Sequence, residues 1–213
     1  VPLRGHVREY GREYNLHIEG FRDVDGNNMV PMDLTVKGVD RVEPDPIFAG
    51  HEEIALEAAR EGIVLLKNEK NALPAAKGTI FNLFGRGVHE FRTGAVGAGK
   101  INPRYTVDFL EAVTSSADYS FNHELAEFYA CGEDRIPSED MLSRAREMSD
   151  TAVVFISRPA GENMDLSTAR GEYYLTADED ELIHKITEVF KYTVAVLNVG
   201  YPIDVRWADE YNV

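Results

Sequence analysis

The chain has 213 residues, enough for one large domain or for a medium domain with an arm, and too few for a complete α/β barrel joined to a second full domain. With 44% hydrophobic and 28% charged residues it can bury a sizeable core and sits apart from the disordered class. Asp plus Glu outnumber Lys plus Arg by 37 to 22, and a net charge of -15 repels nucleic acid phosphates and anionic membrane surfaces, so neither is expected as a partner.

The single cysteine, Cys131, excludes an internal disulfide framework and a cysteine-built zinc site, and it fits a reducing compartment; a cytoplasmic location is the expectation. The best apolar runs, at 153–156 and 194–197, are strand-sized and far short of the ~18–20 residues of a membrane helix. Residues 1–9 are polar and basic with no apolar stretch behind them, so no signal peptide is visible. The first residue is Val1 rather than Met, and the last five follow a strand with no element left to complete the alternation. Both ends read as those of a piece of a longer chain.

Residues 1–48 read as an arm carrying one or two short strands, around Leu16-His17-Ile18-Glu19 and Met32-Asp33-Leu34-Thr35-Val36, with a turn at Asp25-Gly26-Asn27-Asn28. Pro44 and Pro46 then break regular structure, which places the domain boundary there. From residue 49 onward, helices alternate with short apolar strands. That pattern predicts an α/β fold with a mostly parallel sheet flanked by helices. A helix over 52–61 stops at Gly62, and Ile63-Val64-Leu65-Leu66 is expected as a strand. Leu73-Pro74 turns the chain into a strand at 80–84, which ends in Gly85-Arg86-Gly87 and a glycine-rich loop over 93–100. Helices are expected around 107–113, 124–130 and 139–148. Residues 152–156, apolar throughout, are the clearest strand covered on both faces. Thr176 with Glu179 forms a capping box ahead of an amphipathic helix through Leu182, Ile183, Ile186, Val189 and Phe190, and 193–197 is the last strand.

Two stretches could carry chemistry. Gly94-Ala95-Val96-Gly97-Ala98-Gly99-Lys100 has the spacing of a phosphate-cradling loop, but Ile101 stands where a Ser or Thr hydroxyl is needed for magnesium, and Asn102-Pro103 opposes the helix that would follow. A tight surface loop is the expected reading, with a nucleotide-binding switch as the competing one. The second stretch, Ser157-Arg158-Pro159-Ala160-Gly161-Glu162-Asn163-Met164-Asp165, leaves the best buried strand at its carboxyl end, the usual address of ligand sites in open α/β sheets. Glu162 and Asp165 are therefore candidate functional carboxylates, against the alternative of solvated acids on a loop. The six histidines show no paired ligand spacing, a G-x-S-x-G elbow is absent, and Cys131 beside Gly132 has an ordinary structural setting.

These strings, in order, resemble a known family. Glu57-Ala58-Ala59-Arg60-Glu61-Gly62-Ile63-Val64-Leu65-Leu66-Lys67-Asn68-Glu69, Leu73-Pro74, Phe84-Gly85-Arg86-Gly87, the glycine-rich loop, Ile156-Ser157-Arg158 with Ala160-Gly161-Glu162 and Asp165, Gly171-Glu172-Tyr173-Tyr174-Leu175-Thr176, and Val196-Leu197-Asn198-Val199-Gly200-Tyr201-Pro202-Ile203-Asp204 are similar to the α/β sandwich domain of family 3 glycoside hydrolases. The resemblance covers residues 49–213. Three departures stand out: Leu166 where the family motif R-x-S-G-E-G-x-D-R has its last Arg, Asn163 in place of its second glycine, and Gly94-Ala95-Val96-Gly97-Ala98-Gly99 where the family has a Gly-Gly-Gly-Ser-Gly loop.

The resemblance implies a retaining β-glycosidase acting on β-glucosides or β-xylosides, with no metal or organic cofactor. In that family a barrel supplies the nucleophilic aspartate, and the sandwich supplies the acid/base and a wall of the leaving-group site. Glu162 would be the acid/base. Arg158, Asp165 and Arg86 would be substrate-binding residues, with Asp165 either a neighbouring charge or a loop anchor. No barrel sequence is present, so the chain alone is expected to be inactive and to need a barrel from the same gene product. The absence of a barrel remnant ahead of His51 points to a sandwich-first order. The alternative is a noncatalytic carbohydrate-binding or scaffold domain of the same fold.

Overall fold

A computed structural model describes residues 13–18, 32–37, 50–92, 94, 96–97, 106–211 and 213. The turn at 25–28, Pro44, Pro46 and Lys100 lie outside the described residues. The chain forms two compact units, Val1–Val64 and Leu65–Val213. In the first, β1 (Glu13–Ile18) and β2 (Met32–Lys37) pair antiparallel from Glu13 opposite Lys37 to Ile18 opposite Met32, two short strands where one or two were expected. The helix α1 (His51–Gly62) follows, with Glu52 and Glu53 in its first turn and Arg60 in its last, each sign where the helix dipole favours it.

The run 63–66 corrects the sequence expectation. Its side chains are 61–79% exposed and it adopts no strand, because β-branched and apolar residues become a strand only where a ladder partner exists, and among the described residues none does. Beyond it, the Asn68 side chain brackets the turn into Pro74, donating to the Leu73 carbonyl at 2.7 Å and accepting from the Leu73 amide at 3.2 Å.

The second unit is built on a four-stranded, fully parallel sheet in the order β4-β3-β5-β6, formed by β3 (Ile80–Phe84), β4 (Ser120–Phe121), β5 (Thr151–Arg158) and β6 (Tyr192–Val199). Strand β5 pairs along its whole length with β6, from Thr151 opposite Tyr192 to Arg158 opposite Val199. Among the described residues five α-helices accompany the sheet: α2 (Phe109–Thr114), α3 (His123–Phe128), α4 (Glu139–Met148), α5 (Ala177–Val189) and the short α6 (Trp207–Glu210). Polar caps start four of them, Asp108, Asn122, Ser138 and Thr176 each accepting a backbone amide of the first turn.

The chain leaves β3 to one side to form β4 and then returns to the other side to form β5. Parallel crossovers are right-handed, so this change of direction sends α2 to one face and the helices that follow β4 to the other. The aromatic contacts follow. On one face Phe81 and Phe155 meet Phe109 of α2, with ring centroids 6.0 and 5.1 Å apart; on the other Phe84 meets Tyr129 after α3 and Phe190 after α5, at 6.4 and 5.5 Å. With both faces covered, every residue of β5 from Ala152 to Arg158 is buried. The one polar residue of buried β3, Asn82, is satisfied: its amide donates to the carbonyls of Ala145 and Ser149 at 3.1 Å, and its oxygen accepts from Asn122, the cap of α3.

Phe155→Ala is expected to lower the unfolding free energy by about 3–5 kcal/mol, while Met148→Ser, on a side chain 48% exposed, changes it by no more than about 0.5 kcal/mol. Urea denaturation of the two variants checks this placement of the core, and equal losses would contradict it.

Candidate functional site

The reversal of strand order puts a switch point between β3 and β5, and in such sheets the crevice outside the carboxyl ends of the strands is where ligands bind. A cleft of about 330 Å³ lies at the carboxyl ends of β5 and β6, lined by Arg92, Gly94, Arg158, Ala160, Asn198, Val199 and Gly200.

Close backbone approach shapes its walls. At the end of β3, Gly85 has φ +89°, and a Cβ there would lie 2.8 Å from the Phe155 carbonyl oxygen, so glycine alone fits. The segment after it is tied across the cleft by Asn198, whose amide oxygen accepts from the Arg92 backbone N–H at 2.5 Å while its NH₂ donates to the Arg92 carbonyl at 3.1 Å. The Val96 amide then donates to the Ala160 carbonyl at 2.9 Å, laying the described part of the glycine-rich loop against the residues just before Glu162.

Glu162 and Asp165 stand exposed on the segment that leaves β5, two and five residues beyond the cleft-lining Ala160. Among the described residues neither carboxylate has a hydrogen bond or ion pair. The turn that carries Glu162 is closed by the Met164 amide donating to the Gly161 carbonyl at 3.3 Å, and Asn163 holds φ +58° there. That explains one departure from the family motif: the position needs the left-handed conformation, and Asn is among the few side chains that tolerate it where glycine is usual.

The structure places Arg158 and Arg86 differently from the two acids. The Arg158 side chain is 1% exposed and pairs with Glu179, itself 3% exposed, through two parallel bonds of 2.6 Å. Its fork also donates to the Ser157 and Glu172 carbonyls, at 3.0 and 3.3 Å. Burial works against the charge on Arg158, but the bonds to and charge of Glu179 outweigh it and hold its pKa above the ordinary value. Arg86 faces Asp134, which accepts the Arg86 backbone N–H at 2.9 Å and has a carboxylate oxygen 3.4 Å from Nε. Burial is the main reason that the Asp134 carboxyl lies above the usual carboxylate range, with the Arg86 amide and guanidinium opposing it. Three residues of this framework went unassigned in the sequence. Glu179 is masked by its capping-box role, and Asp134 lies in an irregular stretch. Asn198 left a legible signal, as a polar residue at the carboxyl end of an otherwise apolar strand.

Comparison with known proteins bears on the whole arrangement. The model of the "Glycosyl hydrolase family 3 C-terminal domain" matches residues 63–213. Beta-glucosidase A of Butyrivibrio fibrisolvens is 32% identical over 194 residues, covering 74% of this chain and 23% of that protein, and a beta-glucosidase of Ruminococcus albus is 30% identical over 179 residues, covering 75% and 19%. The solved structure of beta-glucosidase 3B from Thermotoga neapolitana in complex with glucose superposes with a TM-score of 0.71 at 31% identity, covering 78% of this chain and 26% of that one. The chain thus spans about a quarter or less of the length of these relatives.

The half-buried Asp134 gives a pH dependence with a definite sign. The native state binds its proton more tightly than the unfolded chain does, so the stability it contributes is fully present at low pH and is lost as pH rises from the ordinary carboxylate value toward the raised native one. Relative to Asp134→Asn, the wild type is expected to lose stability in urea titrations as pH rises above the ordinary Asp value of about 3.9. A difference that stays constant or grows in favour of wild type would contradict the burial argument.

Proposed function

We propose, since this chain belongs to glycosyl hydrolase family 3 and carries its C-terminal domain at residues 63–213, that it serves a retaining β-glycosidase by presenting Glu162 as general acid/base at the leaving-group side of a shared active site. The observation that carries this reading is the setting of Glu162. It lies just beyond a cleft at the carboxyl ends of β5 and β6 of a parallel sheet, on a turn with its own hydrogen bond, and its carboxylate has no partner among the described residues.

The chemistry needs two carboxyl groups about 5–5.5 Å apart, one attacking the anomeric carbon and the other protonating the departing oxygen and then taking a proton from water. This chain would bring the second. The first would come from a barrel domain elsewhere in the longer protein, in keeping with the small fraction of the relatives that the chain spans. Asp165, three residues on and also exposed, would act beside Glu162 as a local charge or loop anchor. Arg158, on the cleft wall with its side chain turned to Glu179, and Arg86, set against Asp134, would act as supports of the site. The substrate class is a β-linked glucoside or xyloside.

Alone, the 213-residue chain is expected to hydrolyse no nitrophenyl β-glucoside or β-xyloside above background. In the longer gene product, Glu162→Gln removes the transferable proton with little change in volume. Its kcat/KM for alkyl glucosides is expected to fall about 100- to 10,000-fold, and less for nitrophenyl glycosides, whose leaving groups depart with little protonation. A change within about threefold on alkyl glucosides, ~0.65 kcal/mol in barrier, would remove Glu162 from the acid role and favour a noncatalytic carbohydrate-binding domain.

A further inference from the structure

The segment that bears Glu162 runs from the end of β5 to the start of α5, residues 159–176, and a segment of this length without regular structure needs something to close it. Its two ends converge on one buried group. The Glu179 carboxylate takes both arms of the Arg158 fork, and its Oε2 also accepts the Thr176 N–H at 2.8 Å. Arg158 Nε donates to the Glu172 carbonyl. One ion pair therefore joins the last residue of β5, the returning limb at Glu172 and the first turn of α5. Above this base the loop has bonds of its own: Ser167 N–H to the Glu172 carboxylate at 2.7 Å, Gly171 N–H to the Tyr174 carbonyl at 2.8 Å, and Glu172 and Tyr174 N–H to the Ala169 carbonyl at 3.3 Å.

We propose that the buried Arg158–Glu179 pair is the clasp of this loop, and that Arg158 is a positioning residue which sets Glu162 at the cleft without touching substrate. The catalytic half of the proposal rests on the role given to Glu162 above, while the clasp itself does not. Lysine at 158 would keep the charge but present a single compact ammonium, which cannot hold both carboxylate oxygens and the Glu172 carbonyl in one plane. The clasp would loosen while the strand stayed in place.

Two measurements separate the halves. Hydrogen exchange followed by mass spectrometry on the 213-residue chain is expected to show at least about tenfold faster exchange at Ser167, Gly171, Glu172 and Tyr174 in Arg158→Lys, with β3 and β6 unchanged. If Arg158→Lys does not fold, the charge-free pair Arg158→Met with Glu179→Gln, which leaves no unpaired buried ion, takes its place and is expected to show the same local loosening. Unchanged loop exchange, or equal acceleration throughout the sheet, would overturn the clasp. In the longer gene product, Arg158→Lys is expected to lower kcat on alkyl glucosides at least about tenfold with KM changed less than threefold, and nitrophenyl glucosides are expected to suffer less. If Glu162→Gln shows that leaving-group dependence and Arg158→Lys does not, the positioning role falls. If Glu162→Gln lacks it while exchange in the loop still rises, the acid/base reading fails and the clasp stands.

Discussion

Burying β5 on both faces is the constraint from which the rest of the second unit follows. Residues 152–156 are at most 3% exposed, and a strand so apolar has to have helices above and below it. The reversal of direction after β4 supplies them, with α2 on one side and α3 and α5 on the other. Because all four strands run parallel, their carboxyl ends lie at one rim. Because β5 stays buried through Arg158, the chain emerges into solvent only at the residues that lead to Glu162.

A charged residue at the buried end of such a strand is costly unless it is fully matched. Arg158 meets a carboxylate through two bonds and two carbonyls through the rest of its fork. A pair of this kind adds little net stability over an apolar replacement, but removing one partner leaves an ion stranded and costs roughly 3–5 kcal/mol. Its value is directional: it fixes which strand end meets which helix start. Glu179 reinforces this, since the same carboxylate completes the capping box of α5. Helix, strand and loop are registered by one group.

Much of this was legible in the sequence, and the exceptions have physical causes. The apolar run of β5, the capping box at Thr176 and Glu179, and helix α4 were readable because each is a local signal whose periodicity or cap chemistry needs no distant partner. The run 63–66 misled because strand propensity describes a surface waiting for a neighbour, and no neighbour is present among the described residues. The brief β4, of two residues, is too short to carry any period. At the site, the loop after β5 was identifiable by its address and its two acids. That Arg158 would turn inward to Glu179 was not, since the two lie 21 positions apart and only the fold brings α5 beneath the strand end. Asn163 is intermediate: it looks like a departure in the motif, and its φ of +58° gives it the job of the glycine it replaces.

The most direct measurement of the central claim, that Glu162 is the acid/base of a retaining enzyme, is the product formed when azide is added to the Glu162→Gly variant of the longer gene product with a nitrophenyl β-glucoside. With the acid/base gone, a glycosyl-enzyme intermediate should accumulate, and azide should capture it without needing a general base, so the expected product is the β-configured glycosyl azide at a rate that rises with azide concentration. An α-configured azide would identify the missing group as the nucleophile. No acceleration by azide, with activity close to that of wild type, would remove Glu162 from the chemistry altogether.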